Sequence, residues 1–223
     1  MTNNKDKRQL KTEPRLKVQL TEEQKQVIKD FYKHDVNFIL GDFGSGKSLT
    51  AVYAAIAAYR KKQYNKIWIT RPMLKNKLAA LPGTVAEKMY PYIFPIIQNL
   101  EVVQGKATTQ RMLEKGEIEI MPVDVAKGVT FMDSVVIVDE FQDMDYADFR
   151  TILTRLGKES KMILCGSIQQ VDKAIGKDSC IWSANKLSRA DFVGFNVLTA
   201  NHRNDTLSKI IRFLEKDEKH KTG

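Results

Sequence analysis

Cysteine is nearly missing from this chain, with only Cys165 and Cys180 in 223 residues. Two thiols build neither a disulfide scaffold nor a four-thiolate zinc site, and they point to a reducing, cytoplasmic setting. Histidine is as scarce. His34, His202 and His220 stand far apart with no ligand spacing, so a histidine metal centre is not expected. No run approaches the ~18 apolar residues that cross a bilayer. The opening MTNNKDKRQLKTEPRLK has no apolar segment of the kind a secretion signal needs. No membrane partner is expected. Repeats and long low-complexity runs are lacking too.

Acidic residues are fewer than basic ones, 27 against 36, for a formal charge of +9. The excess is uneven. Residues 60–78 hold seven basic side chains and no acid, and the first 17 residues carry a net +4. Clusters of this kind suit a polyanion such as RNA, DNA or nucleotide phosphate, although a solvated surface reads the same way. Hydrophobic residues make up 43% of the chain, enough for a core. A chain this long buries roughly 70% of its unfolded surface.

Short β-branched runs alternate with helical stretches, which predicts an α/β fold with a mostly parallel sheet and helices on both faces. Strands are expected at 36–40 (VNFIL), 66–70 (KIWIT), 117–121 (EIEIM), 135–138 (VVIV), 162–165 (MILC) and 192–198, five or six in one sheet. Helices are expected after the glycine-rich turn (SLTAVYAAIAAYRKK), at 84–99 with Pro91 and Pro95 breaking or kinking it, at 147–156 and at 206–214. The expected organisation is a basic, poorly ordered segment at 1–16, one α/β domain at 17–216 and a polar tail at 217–223.

The strongest signal is Gly41-Asp42-Phe43-Gly44-Ser45-Gly46-Lys47-Ser48, followed by Leu49. It fits G-x-x-x-x-G-K-[ST] at every fixed position, an event expected by chance on the order of once in a hundred chains of this length. A buried strand leads in and a helix leads out, as a phosphate loop requires. Glycines let the loop turn its N–H groups inward on phosphate oxygens, and the helix N-terminus adds partial positive charge. Lys47 can reach the β- and γ-phosphates of ATP, and the Ser48 hydroxyl can ligate Mg²⁺.

Asp139 and Glu140 follow the apolar run 135–138, at the strand end where open α/β sheets bind ligands. Asp139 suits the metal and Glu140 suits a general base on the attacking water. The polar stretch 165–170 after MILC reads equally as a γ-phosphate contact or as a plain turn. Arg155 and Arg203 can each stabilise charge on the γ-phosphate, and each also reads as a surface ion pair. Gln24, about one helix upstream, can pair two edges of adenine through its amide, or can be an exposed polar residue.

Longer stretches carry a family resemblance. ITRP (69–72), LPGTVAEKMYPYIFPI (81–96), VVIVDEFQD (135–143), ILTRLGKESKMILCGSIQQVD (152–172) and HRND (202–205) resemble the PhoH-like ATPases of bacteria and bacteriophages. These are single-domain P-loop relatives of superfamily 1 helicases. The LPG…EKMYPYIFP stretch is the most specific part. The resemblance implies ATP at 41–48, Mg²⁺-dependent hydrolysis through Asp139 and Glu140, γ-phosphate sensing by Gln170 and an adenine contact at Gln24. It also implies RNA or single-stranded DNA contacts by Arg71, Lys75 and Lys77. One core of this kind implies a homo-oligomer, a hexameric ring among the options, with an arginine such as Arg155 or Arg203 supplied between subunits. Ser167 stands where the family keeps Asp, and Asp143 where it keeps Asn. Two other readings stand beside this one. A thymidine-kinase-like enzyme shares the loop and the DE-Q motif but usually adds four zinc cysteines. A slow nucleotide-dependent switch shares every motif.

Overall fold

The computed structural model describes residues 16, 18–72, 85–167 and 180–200, with 85–89 as backbone alone. Gln170, Arg203, Lys75, Lys77, residues 1–15, the polar tail 217–223 and the helix expected at 206–214 lie outside the described residues.

Six parallel strands form one sheet: β1 (Val36–Gly41), β2 (Lys66–Arg71), β3 (Ile118–Pro122), β4 (Ser134–Val138), β5 (Lys161–Gly166) and β6 (Val193–Leu198). Their spatial order is β3-β2-β4-β5-β1-β6. The three central strands β4, β5 and β1 are almost wholly buried, because helices cover both faces. Alternation along each strand divides the side chains between two cores. Ile39, Ile67, Ile69, Val135, Ile137, Ile163 and Cys165 meet helices α1 (Glu22–Lys33), α2 (Lys47–Arg60), α3 (Val85–Gln104) and α4 (Lys106–Glu114). Phe38, Leu40, Val136, Val138, Met162 and Leu164 meet α5 (Val123–Ala126), α6 (Tyr146–Leu153) and α7 (Cys180–Leu187).

Each strand ends at the same edge, so whatever follows β1, β2, β4 and β5 collects there. The registers set the neighbours: Thr70 lies opposite Val138, and Leu40 opposite Gly166. Arg71 therefore comes beside Asp139, and the loop after Gly41 comes beside the end of β5.

Two expectations about helices change. Pro91 and Pro95 do not break α3, which runs unbroken through both. Both are exposed, so water can meet the carbonyls that a proline nitrogen cannot. Helix α6 ends at Leu153, short of 156, because Leu156 bridges to Phe131 and Gly157 packs on the Phe131 carbonyl. A Cβ at Gly157 would lie 2.5 Å from that oxygen. Helices α4, α5 and α7 have no counterpart in the sequence expectation.

Candidate active site

The loop between β1 and α2 wraps around its own lysine. Gly44 and Gly46 adopt left-handed backbone (φ 86° and 85°), which side chains disfavour. Gly41 sits where a Cβ would come within 2.6 Å of both the Leu198 carbonyl and Ser45 Oγ. The Ser45 amide and hydroxyl both donate to the Asp42 carbonyl, closing the turn. Lys47 Nζ donates to the carbonyls of Gly41 (2.8 Å) and Asp42 (3.0 Å), so its charge is held at the centre of the loop.

Helix α2 starts at Lys47 with no side-chain cap and no acid in its first turn. Its first N–H groups, with the positive end of the helix dipole, are left for a ligand. An anion is what such an end recruits.

The second half of the site comes from β4. Asp139 is 3% exposed, and Oδ1 accepts a hydrogen bond from Ser48 Oγ at 2.7 Å. The Asp139 amide donates to the Thr70 carbonyl, fixing the strand end. Burial pushes the Asp139 carboxyl up; the Ser48 hydroxyl opposes that, nearby Glu140 adds to it, and Arg71 and Lys47 oppose it. Glu140 holds left-handed backbone (φ 54°, ψ 45°). A non-glycine residue there costs about 1–3 kcal/mol, strain that clusters at functional sites. The turn aims Glu140 at the cavity rather than along the strand.

Two side chains tie these acids down. Arg71, at the end of β2, lies 3.7 Å from Asp139 Oδ2 and 3.9 Å from Glu140 Oε1, and its guanidinium donates to the Tyr92 carbonyl of α3 at 3.1 Å. Gln142 Nε2 donates to Glu140 Oε2 at 2.7 Å, while Gln142 Oε1 accepts from the Ser167 amide at 3.2 Å. Gln142 thus joins Glu140 to the residue that follows β5. Ser167 is 4% exposed, and its hydroxyl has no partner among the described residues.

A cavity of about 460 Å³ opens over the loop. Its walls are Phe43, Lys47, Ser48 and Leu49 on one side, Asn99 and Glu140 on another, and Val18, Gln19, Thr21 and Gln24 on a third. Gln24 is not the exposed residue that was the alternative reading. It is 3% exposed and locked in a capping box, accepting from the Thr21 amide while its own amide donates to Thr21 Oγ1. Phe43 is 54% exposed at the rim.

The residues named from sequence meet here only in part. Lys47, Ser48, Asp139, Glu140, Gln24 and the loop converge. Arg155 does not. Its carbonyl accepts from the Phe131 amide ahead of β4, so it sits at the opposite, amino-terminal edge of the sheet. The reading of Arg155 at the γ-phosphate of its own chain is corrected accordingly. Arg71, to which the resemblance gives a nucleic-acid contact, lies against Asp139 and Glu140. Gln142, Asn99 and Gln19 were missed. The Gln of the DE-Q motif carried the signal for Gln142, whereas Asn99 and Gln19 had none.

The donors at the centre, one hydroxyl and two carboxylates, are hard oxygens. They suit Mg²⁺ better than any soft metal. Among the described residues, no cluster of histidine, cysteine and carboxylates competes for such an ion.

The family model described as PhoH-like protein matches residues 17–215. The chain belongs to the PhoH-like family. The PhoH-like protein of Bacillus subtilis is 36% identical over 166 residues, 74% of this chain and 52% of the relative. Protein PhoH of Escherichia coli K12 is 36% identical over 155 residues, 68% of this chain and 44% of the relative. The chain thus spans about half the length of these curated relatives. The UvsW helicase from bacteriophage T4 matches in fold at TM-score 0.51 and 10% identity, over 82% of this chain and 61% of the helicase. The PhoH-like chain carries a P-loop NTPase fold, with six parallel strands between helical layers. No helix among the described residues is long and apolar enough to cross a membrane.

Proposed function

We propose that this PhoH-like chain hydrolyses ATP with Mg²⁺ and couples turnover to binding or remodelling RNA or single-stranded DNA, as a homo-oligomer. The observation that carries the reading is the 2.7 Å hydrogen bond between Ser48 and Asp139, 91 residues apart in sequence. It joins the hydroxyl of the phosphate loop to the buried acid of β4, the pair that holds the metal in P-loop enzymes.

In this reading the triphosphate lies along the loop, with Lys47 leaving the Gly41 and Asp42 carbonyls for the β- and γ-phosphates. Ser48 and Asp139 hold Mg²⁺. The chemistry the metal supplies when bound is neutralisation of charge on the β- and γ-oxygens. Glu140 orients and deprotonates the attacking water, with Gln142 fixing its second oxygen. The base enters the side walled by Gln24, Gln19 and Phe43. Gln170 senses the γ-phosphate, and Arg203 completes the site from a neighbouring subunit; both assignments rest on sequence alone. Lys75 and Lys77 contact nucleic-acid phosphates on the same footing. The cytoplasm is the expected compartment.

Steady-state ATP turnover with and without single-stranded RNA or DNA tests this reading. Stimulation severalfold supports the coupling. Turnover that ignores both polymers leaves a nucleotide-dependent switch.

A further inference from the structure

The far end of helix α2 borders a second cavity, of about 550 Å³. Helix α2 runs 14 residues from Lys47, so this cavity lies about 20 Å from the phosphate loop. It shares no lining residue with the cavity over that loop. Its walls come from the last turn of α2, the chain entering β2, and the junction of α3 with α4. The volume falls within the ~300–1,000 Å³ of small-ligand sites. Arg60, Lys62 and Arg111 line it, and no acid among the described residues does. Lys62 closes a Schellman turn: its amide donates to the Tyr59 carbonyl, and the Gln63 amide donates to the Ala58 carbonyl. Lys62 holds the left-handed position of that turn (φ 56°), where glycine is usual, and it makes no ion pair with a described residue. Arg111 Nη1 lies 3.8 Å from Glu117, beyond hydrogen-bond distance, so its donors are not consumed.

Helix α4 begins on the same wall. Its N-cap, Gly105, supplies no side-chain cap, and its first turn holds no acid. The amides of that turn and the positive end of the helix dipole add to the pull on an anion. Thr108 of the first turn lines the cavity, and so does Gln104 just before it. Gln104 is 5% exposed; Nε2 donates to Thr109 Oγ1 at 3.4 Å, and Oε1 is buried with no partner among the described residues. A buried acceptor without a partner is costly, so this cavity calls for an N–H or O–H donor as well as an anion. A fully ionised phosphate group has none, so the donor must come from the rest of the ligand. Tyr59 and Tyr64, both half-buried, add aromatic surface. The geometry points to a second nucleotide site here, one that takes a free nucleoside monophosphate. The phosphate meets the cations and the start of α4, a base N–H or ribose O–H donates to Gln104 Oε1, and the flat base lies against the tyrosines. The site uses no residue of the ATP site and stands whether or not that reading does.

Calorimetry of the full chain with AMP, GMP, CMP and UMP, set against inorganic phosphate and ribose 5-phosphate, tests it. At least one nucleotide binds once per chain, and about tenfold or more tighter than either control, the scale of one stacked base. Lys62→Gly/Arg111→Ala removes two charges while suiting the left-handed turn, and weakens that binding by about tenfold or more; Lys47→Ala leaves it unchanged. Gln104→Met keeps the bulk and removes the acceptor, so nucleotide affinity falls about threefold or more while affinity for inorganic phosphate is unchanged. Nucleotides that all bind no better than inorganic phosphate overturn the proposal. So does binding that survives Lys62→Gly/Arg111→Ala and disappears with Lys47→Ala, since the nucleotide then sits on the phosphate loop. Amide NMR shifts of the wild-type chain need no variant to fold: those of Ala107 and Thr108 move on adding the nucleotide, and changes confined to Gly44 and Gly46 contradict the site.

Discussion

Arg71 faces Asp139 across 3.7 Å, the guanidinium at the end of β2 meeting the buried carboxylate at the end of β4. The two strands are neighbours in the sheet, and the pairing of Thr70 with Val138 makes this meeting a consequence of register. Asp139 is held away from water, and Lys47 spends two of its donors on loop carbonyls. Among the described residues, Arg71 is the cation within ion-pair distance of both acids. Removing it takes away part of their compensation, leaving Lys47 and the Ser48 hydroxyl for Asp139 and Gln142 for Glu140. Arg71→Ala lowers the stability of the nucleotide-free chain by about 1–2 kcal/mol near neutral pH, the scale of a hydrogen bond to a charged group. Urea unfolding measures it. The attraction favours the ionised form of Asp139, whose carboxyl burial has raised, so it is present above that raised value and disappears as pH falls through it. The gap between wild type and variant therefore narrows in acid. A gap that widens contradicts the pairing.

Glu140→Gln separates binding from chemistry. The amide keeps the size and a hydrogen bond but cannot take a proton. ATP affinity stays near wild type, while turnover falls by roughly 10²–10⁴. Equal loss of both refutes the general-base role.

Gly166→Ala tests how the acids are supported. A Cβ at Gly166 would come within 2.8 Å of Phe141 Cδ1 and 2.9 Å of Gln142 Oε1. Phe141 is packed against Phe38 and Phe149, so it cannot yield freely. The variant loses about 1–3 kcal/mol, the scale of overpacking, and its turnover drops as Gln142 is pushed off Glu140. Thermal unfolding and steady-state kinetics check the two halves.

The cysteines give a chemical readout of the core. Cys165 and Cys180 are both free and buried. Burial pushes the Cys165 thiol well up, and pushes Cys180 from 9.0 to about 11. Neither thiol reacts with Ellman's reagent at pH 8 in the folded chain, and both react after unfolding. Because the unfolded thiol ionises first, stability falls as pH rises from the ordinary thiol value toward about 11. Rapid labelling of the native chain contradicts this packing.

Much of this was readable from residues alone, and the misses have physical reasons. Strands β1, β4 and β5 announce themselves because strands buried on both faces are short apolar runs, while the half-buried β2, β3 and β6 are read from their β-branched and aromatic residues. The phosphate loop announces itself too, since its glycines, lysine and serine leave few alternatives. Arg155 lies between α6 and β5, and a crossover between parallel strands returns to the amino-terminal edge, a placement that the motif around it does not show. The resemblance gave Arg71 a nucleic-acid contact and no link to Asp139, because their meeting needs the β2–β4 pairing, a contact between distant segments. Asn99 enters the cavity only because α3 continues through its prolines. Gln24 was ambiguous until its capping box with Thr21 fixed it inside the cavity wall.

The central claim is that a triphosphate and its metal bind between Lys47 with Ser48 and Asp139 with Glu140. Calorimetry on the Glu140→Gln chain, titrated with ATP in the presence and absence of Mg²⁺, tests it most directly. One ATP per chain, bound with Mg²⁺ and lost in a Lys47→Ala/Glu140→Gln chain, is the predicted result. A flat trace with Mg²⁺ present, or binding that survives the loss of Lys47, would contradict the account.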